Sequence, residues 1–216
     1  MPNRRCLLLA CTAAAGGALA PLPAWAQAYP SRPVKIVVPF TAGSATDILA
    51  RTVAQKLNDA WKQTVVVENR AGAGGTIGAG QVAKSPPDGY TLMVHSSAQA
   101  VNPAIYPNLP YDTLKDFVQV ALIAGQPNVL VTAPASGYKT VADLIADAKK
   151  RPGALSFGSA GIGSGTHFNA EKFKLAAGLD VVHVPYKGTP EALTDTMAAR
   201  VASDRSLPRR AKYAVP

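Results

Sequence analysis

Apolar and polar positions fall into blocks along the middle of the chain, and the block lengths separate strands from helices. Val34-Lys35-Ile36-Val37-Val38 is a short β-branched run closed by Pro39, the pattern of a buried strand. Between Thr46 and Trp61 the apolar residues Ile48, Leu49, Val53 and Leu57 recur at helical spacing, with Asp47 in the first turn. Thr64–Val67 is strand-like, Gly72–Gly75 is a glycine-rich turn, and Ile77–Ala83 fits a short helix. Pro86-Pro87-Asp88-Gly89 reads as a turn, because proline fixes φ and glycine accepts φ above zero; Tyr90–Val94 follows as a strand.

The alternation continues. Val118–Ala124 and Val129–Thr132 have strand composition. Thr140 with Asp143 three residues on makes a capping-box start for a helix to about Lys150. Leu155–Phe157 is a short strand, Gly158–Gly165 a glycine- and serine-rich loop, and Thr166–Ala177 a helix stopped by Gly178. Val181–Val184 is a strand, and Thr189-Pro190-Glu191 opens a helix to about Arg200. Strands alternating with helices through short loops predict an α/β fold with a mainly parallel sheet, whose ligands sit at the carboxyl ends of strands.

The two termini do not share this pattern. Arg4 and Arg5, an apolar run over Cys6–Ala20 and small residues at Ala24-Trp25-Ala26 predict an export signal over residues 1–26, cleaved before Gln27. The run is shorter than the roughly 20 residues that span a bilayer. Both cysteines, Cys6 and Cys11, fall inside it, so thiol chemistry and thiolate metal ligands are not expected of the exported chain. Residues 202–216 have no helical or strand period and are set apart as an unrelated basic tail. The formal net charge is +9; the two leader arginines and the tail's excess of +3 leave +4 over residues 27–201. A basic tail leaves a nucleic-acid arm open. The 6% of aromatic residues do not interleave with basic ones as a base-stacking platform needs.

Four loops share one chemistry: Phe40–Asp47, Ala71–Thr76, His95–Ala98 and Ser159–Thr166. Each is short and built of small residues. Glycine lets backbone N–H groups approach a ligand, a helix start adds partial positive charge, and the hydroxyls of Ser44, Thr46, Ser96, Ser97, Ser164 and Thr166 can add hydrogen bonds. A carboxylate is the guest this chemistry predicts. No complete dinucleotide fingerprint, P-loop, GxSxG elbow or HExxH pair occurs, and His95, His167 and His183 stand far apart in sequence. A hydrolase or dehydrogenase on the same layers stays open as an alternative without a nucleophile–base pair in the sequence.

Pro39–Arg51 (PFTAGSATDILAR), Glu68–Gly78 (ENRAGAGGTIG), Pro87–Leu92 (PDGYTL) and Val184–Gly188 (VPYKG) together resemble the signatures of the periplasmic receptors of tripartite tricarboxylate transporters, the Bug family. The resemblance covers about residues 27–201. It implies a two-lobed α/β binding protein similar to type II periplasmic binding proteins, with lobe 1 over 27–124, a partial lobe 2 over 125–201 and a hinge near 120–128. It implies a monomeric periplasmic protein, not an enzyme and without a cofactor, that captures a small di- or tricarboxylate and passes it to membrane subunits; nucleic acid is not expected as a partner. The ligand-binding candidates it places on this chain are Phe40, Gly43, Ser44, Asp47, Gly74, Thr76, Ser96, Ser97, Ser159, Gly163, Thr166, His167 and Tyr186. Gly43-Ser44 replaces the family's usual pair of glycines, so Ser44 is expected to alter ligand choice. The resemblance ends near Val201, where family members continue, and so implies a C-terminally truncated receptor.

Overall fold

A computed structural model describes residues 28–201. The expected export signal and basic tail lie outside the described residues. Residues from Arg32 on belong to one compact unit, and residues 28–31 to another.

The first sheet is parallel in the order β2-β1-β3, formed by β1 (Val34–Val38), β2 (Val65–Asn69) and β3 (Thr91–Met93). The register pairs Ile36 with Val67 on one side and with Leu92 on the other. As the central strand, β1 has four of its five residues buried, which explains its near-continuous apolar run. Helix α1 (Ala45–Trp61) covers the sheet through Ala50 and Ala54, with Leu57 and Trp61 packed at the edge of the same core. It ends where Lys62 adopts a left-handed conformation, and Asn58 joins its last turns to the next strand by accepting a bond from Val65 N at 2.6 Å. Next come a short 3₁₀ turn at Ala73–Gly75, helix α2 (Thr76–Ala83) and helix α3 (Ala98–Ile105). The sequence reading does not predict α3: it is only eight residues long, and Pro103 lies inside it.

The second sheet pairs β4 (Ser156–Ser159) with β5 (Val182–Pro185), again in parallel. Helices α4 (Val141–Lys150), α5 (Gly165–Ala177) and α6 (Thr189–Met197) accompany it. The expected capping box of Thr140 and Asp143 is formed, and Gly178 closes α5 in the left-handed conformation.

One expectation is overturned. Residues 118–124 and 129–132 are not strands: from 117 to 133 the chain runs without sheet pairing. Val118, Val120 and Leu122 are 83 to 90% exposed. Strand composition supplies a pleated apolar face but no hydrogen-bonding partner, and the segment pairs with none of the edge strands β2, β3, β4 and β5. A cavity of about 250 Å³, walled by Val129, Val131, Leu155, Phe157 and Phe173, lies where this segment passes the second sheet.

Candidate functional site

The carboxyl ends of β1, β2 and β3 and of β4 and β5 meet along a seam. Thr41 Oγ1 donates to Glu191 Oε2 at 3.0 Å, across 150 residues of sequence. Tyr106 Oη donates to the Ile162 carbonyl at 2.8 Å. The glycines show how close the loops come. A Cβ placed on Gly74 would lie 1.9 Å from Ile162 O, one on Gly188 1.8 Å from Thr41 Oγ1, one on Gly165 3.2 Å from Ser97 Oγ, and one on Gly43 3.5 Å from Pro190 Cγ. All four loops singled out in the sequence, and the start of α6, therefore share one place.

Within these loops most of the predicted side chains hold the loops themselves. Asp47 is buried; it accepts from Gly43 N at 2.8 Å, Asn69 Nδ2 at 2.8 Å and Arg51 Nε at 3.0 Å. Burial works to raise the pKa of Asp47, but the bonds from Arg51, Gly43 and Asn69 outweigh it and hold the carboxyl below its ordinary range. Ser44 is buried against Thr46, 3.2 Å between hydroxyls, and Phe40 packs its ring edge-on to His95 with centroids 5.6 Å apart. Ser96 Oγ accepts from Ala98 N at 3.3 Å, whereas Ser97 is exposed. Gly74 takes φ +60 inside the 3₁₀ turn, and Thr76, buried, is the first residue of α2.

On the other side, Thr166 Oγ1 accepts from Ala160 N at 3.0 Å and Ser164 Oγ accepts from His167 N at 3.2 Å. Gly163, at φ +83, donates its N–H to His167 Nδ1 at 3.3 Å. Tyr186 turns its hydroxyl away to Asp195 Oδ2, 3.2 Å, so its backbone carbonyl and not its ring meets the glycine loop, at 2.9 Å from a Cβ on Gly161.

The structure adds a contact between two residues named in the sequence, and two residues, Asn102 and Tyr106, that the sequence does not single out. Ser159 Oγ lies 2.7 Å from His183 Nε2, a nucleophile–base distance that a separation of 24 positions conceals. Ser159 is 0% exposed and the same oxygen accepts from Gly161 N at 3.1 Å, so the pair fastens the loop and presents no accessible nucleophile. His183 stacks on Phe157 and sits beside His167; burial first, then His167, brings its pKa down to about 4. Burial likewise brings His95 to about 4 and lowers His167. Asn102 and Tyr106, on the unpredicted α3, touch both sides of the seam. The starts of α1, α2, α3 and α6, which lie here, receive no cap from their N-cap side chains, although Ser96 Oγ takes up the first N–H of α3, while α5 is capped by Ser164. Uncapped starts leave N–H donors and partial positive charge for an anion. Among the described residues no group of three or more His, Cys, Asp or Glu could hold a metal ion, and no helix is long and apolar enough to cross a membrane.

Residues 49–214 match the family described as the tripartite tricarboxylate transporter family receptor, a match that runs past Val201. The protein BugT of Bordetella pertussis is 43% identical over 184 residues, 84% of this chain and 56% of its own length. The chain spans about half the length of the curated relatives it matches. Among solved structures, Rpa4515 of R. palustris with adipate aligns at TM-score 0.77 and 41% identity, covering 80% of this chain and 58% of that one. MatC (Rpa3494) of Rhodopseudomonas palustris with bound malate aligns at TM-score 0.72 and 31% identity, covering 80% and 59%.

Proposed function

The chain belongs to the tripartite tricarboxylate transporter receptor family, and from that premise we propose that its seam captures a small dicarboxylate in the periplasm for delivery to membrane subunits. The observation that carries this reading is the gathering of four helix starts, α1, α2, α3 and α6, none capped by its own side chain. A carboxylate completes such ends with both charge and acceptor oxygens. The adipate and malate bound by the two structural relatives have this chemistry. The hydroxyls of Ser44, Ser159, Ser164 and Thr166 set the shape of the loops; the N–H groups of Gly43, Thr76 and Gly163 are taken up by Asp47, Ala73 and His167, so the guest meets the N–H groups that the helix starts leave open. The protein works as a monomer, by binding and release and without a chemical step, and residues 27–124 and 125–201 act as its two lobes.

Titration calorimetry of the chain with adipate, malate and a tricarboxylate tests the proposal. Saturable heat with one of them, and a melting temperature that rises with its concentration, is the expected outcome. No heat and no rise with any of the three at millimolar concentration would overturn it.

A further inference from the structure

Helix α3 breaks local rules that a purely structural helix would keep. Asn102 is 0% exposed in its interior, and Pro103 follows, removing one N–H from the helix ladder. Asparagine is a poor interior helix residue because its amide competes with the backbone. Such violations concentrate where a function needs them.

The contacts of this helix point to what is needed. Asn102 Nδ2 donates to Gly74 O at 3.3 Å, on the turn before α2. The same amide presents Oδ1 to the opposite turn, 2.6 Å from where a Cβ on Gly163 would stand. Four residues on, at the end of the helix, Tyr106 Oη donates to Ile162 O at 2.8 Å. Its ring lies 3.2 Å from the Gly163 Cβ position, and its hydroxyl 3.3 Å from that of Gly74. Each side chain thus touches both glycine turns, beside the place where the turns themselves meet at Gly74, Gly161 and Ile162.

We propose that Asn102 and Tyr106 are positioning residues that fix the spacing between the Gly74 turn and the 161–163 turn, and through it the alignment of the carboxylate-binding backbone. The first half stands on the contacts alone; the second rests on the function proposed above. Neither residue needs to touch the ligand. Their effect is preorganisation: turns already held at the bound spacing lose less freedom when the ligand arrives.

Hydrogen exchange followed by mass spectrometry on the full chain tests this, with adipate as the probe. In Tyr106→Phe, which keeps the ring, amides of residues 159–165 should exchange about fivefold faster, while those of β1 and α1 stay unchanged. In Asn102→Leu, which keeps the bulk, the same should appear at residues 72–76. Melting temperatures should move little, and adipate should bind about tenfold more weakly to both variants. Unchanged exchange at both turns would overturn the proposal. So would acceleration spread evenly over the first sheet with a lower melting temperature, the signature of general destabilisation. Local acceleration with undiminished adipate affinity would overturn the link to binding. Local acceleration in a protein that binds no adipate or malate even as wild type would uphold the spacing role and sink the carboxylate reading instead.

Discussion

The rings of His167 and His183 lie 4.3 Å apart, tilted by 34°, so a proton on one opposes a proton on the other. Burial is the larger cause at His183, and at His95 it outweighs backbone bonds at Ser96 and Gly75 that act the other way; both are held at about 4, below their ordinary 6.5. A base whose folded pKa is depressed leaves stability untouched above about pH 6.5. Between 6.5 and 4 the unfolded chain takes up protons that the folded chain refuses, so stability falls with pH. The expected result is a melting temperature that declines through this window, measured by circular dichroism, with a shallower decline in His183→Gln. The lowered carboxyl of Asp47 acts in a separate window: its contribution is present above the ordinary carboxylate pKa of 3.8 and is lost as pH falls below it.

Asp47 ties Gly43, Asn69 and Arg51 to one buried carboxylate. Asp47→Ala removes the buried acceptor shared by these three donors and should cost about 2–4 kcal/mol in urea unfolding. Asp47→Asn, which keeps acceptor capacity on one oxygen, should cost less. Equal losses in both variants would show that charge and not bonding holds the loop.

Gly74→Ala places a methyl 1.9 Å from the backbone oxygen of Ile162 at a φ of +60. A carbonyl cannot swing aside as a side-chain tip can, so the seam must part. The loss expected in the same unfolding experiment is about 1–3 kcal/mol, from strain and broken contact together. Gly137→Ala is the control: also at positive φ but with open space around it, it should cost about 1 kcal/mol, the conformational part alone.

The unpaired segment from 117 to 133 exposes Val118, Val120 and Leu122 together. An apolar strip of this kind binds hydrophobic dyes and promotes association. The chain should enhance anilinonaphthalene sulfonate fluorescence under native conditions, and Val120→Lys with Leu122→Lys should reduce the enhancement without lowering the melting temperature. Dye binding that the double variant leaves intact would place the exposed surface elsewhere, such as the cavity lined by Phe157 and Phe173.

The parts of the fold written in local signals were legible: the β-branched run of β1, the capping box of α4 and the Gly178 stop of α5 all stand where their residues predict them. The apolar runs at 118–124 and 129–132 show the limit of such signals, since a strand is a relation between two segments and composition describes one. Helix α3 was missed because its residues are chosen for what they touch and not for helix propensity. The glycine loops of the site were visible from their small residues, but the division of labour inside them was not. Asp47 and Thr166 look like ligand contacts in sequence, but their oxygens accept from the N–H groups of Gly43 and Ala160. The approach of Ser159 to His183 is set by the register of β4 on β5, which pairs Ser159 with Pro185, and no local motif encodes it.

The uncapped starts of α1, α2, α3 and α6 have an evolutionary consequence. Donors that belong to the main chain are common to every amino acid except proline, so few point mutations delete one. What mutation can reset is the distance between one helix end and the next, through glycine, hydroxyl and amide packing in the loops. Ligand preference in such a protein should then drift as a length scale, short acids giving way to longer ones by small changes of gap, while the atoms that recognise the charge stay the same.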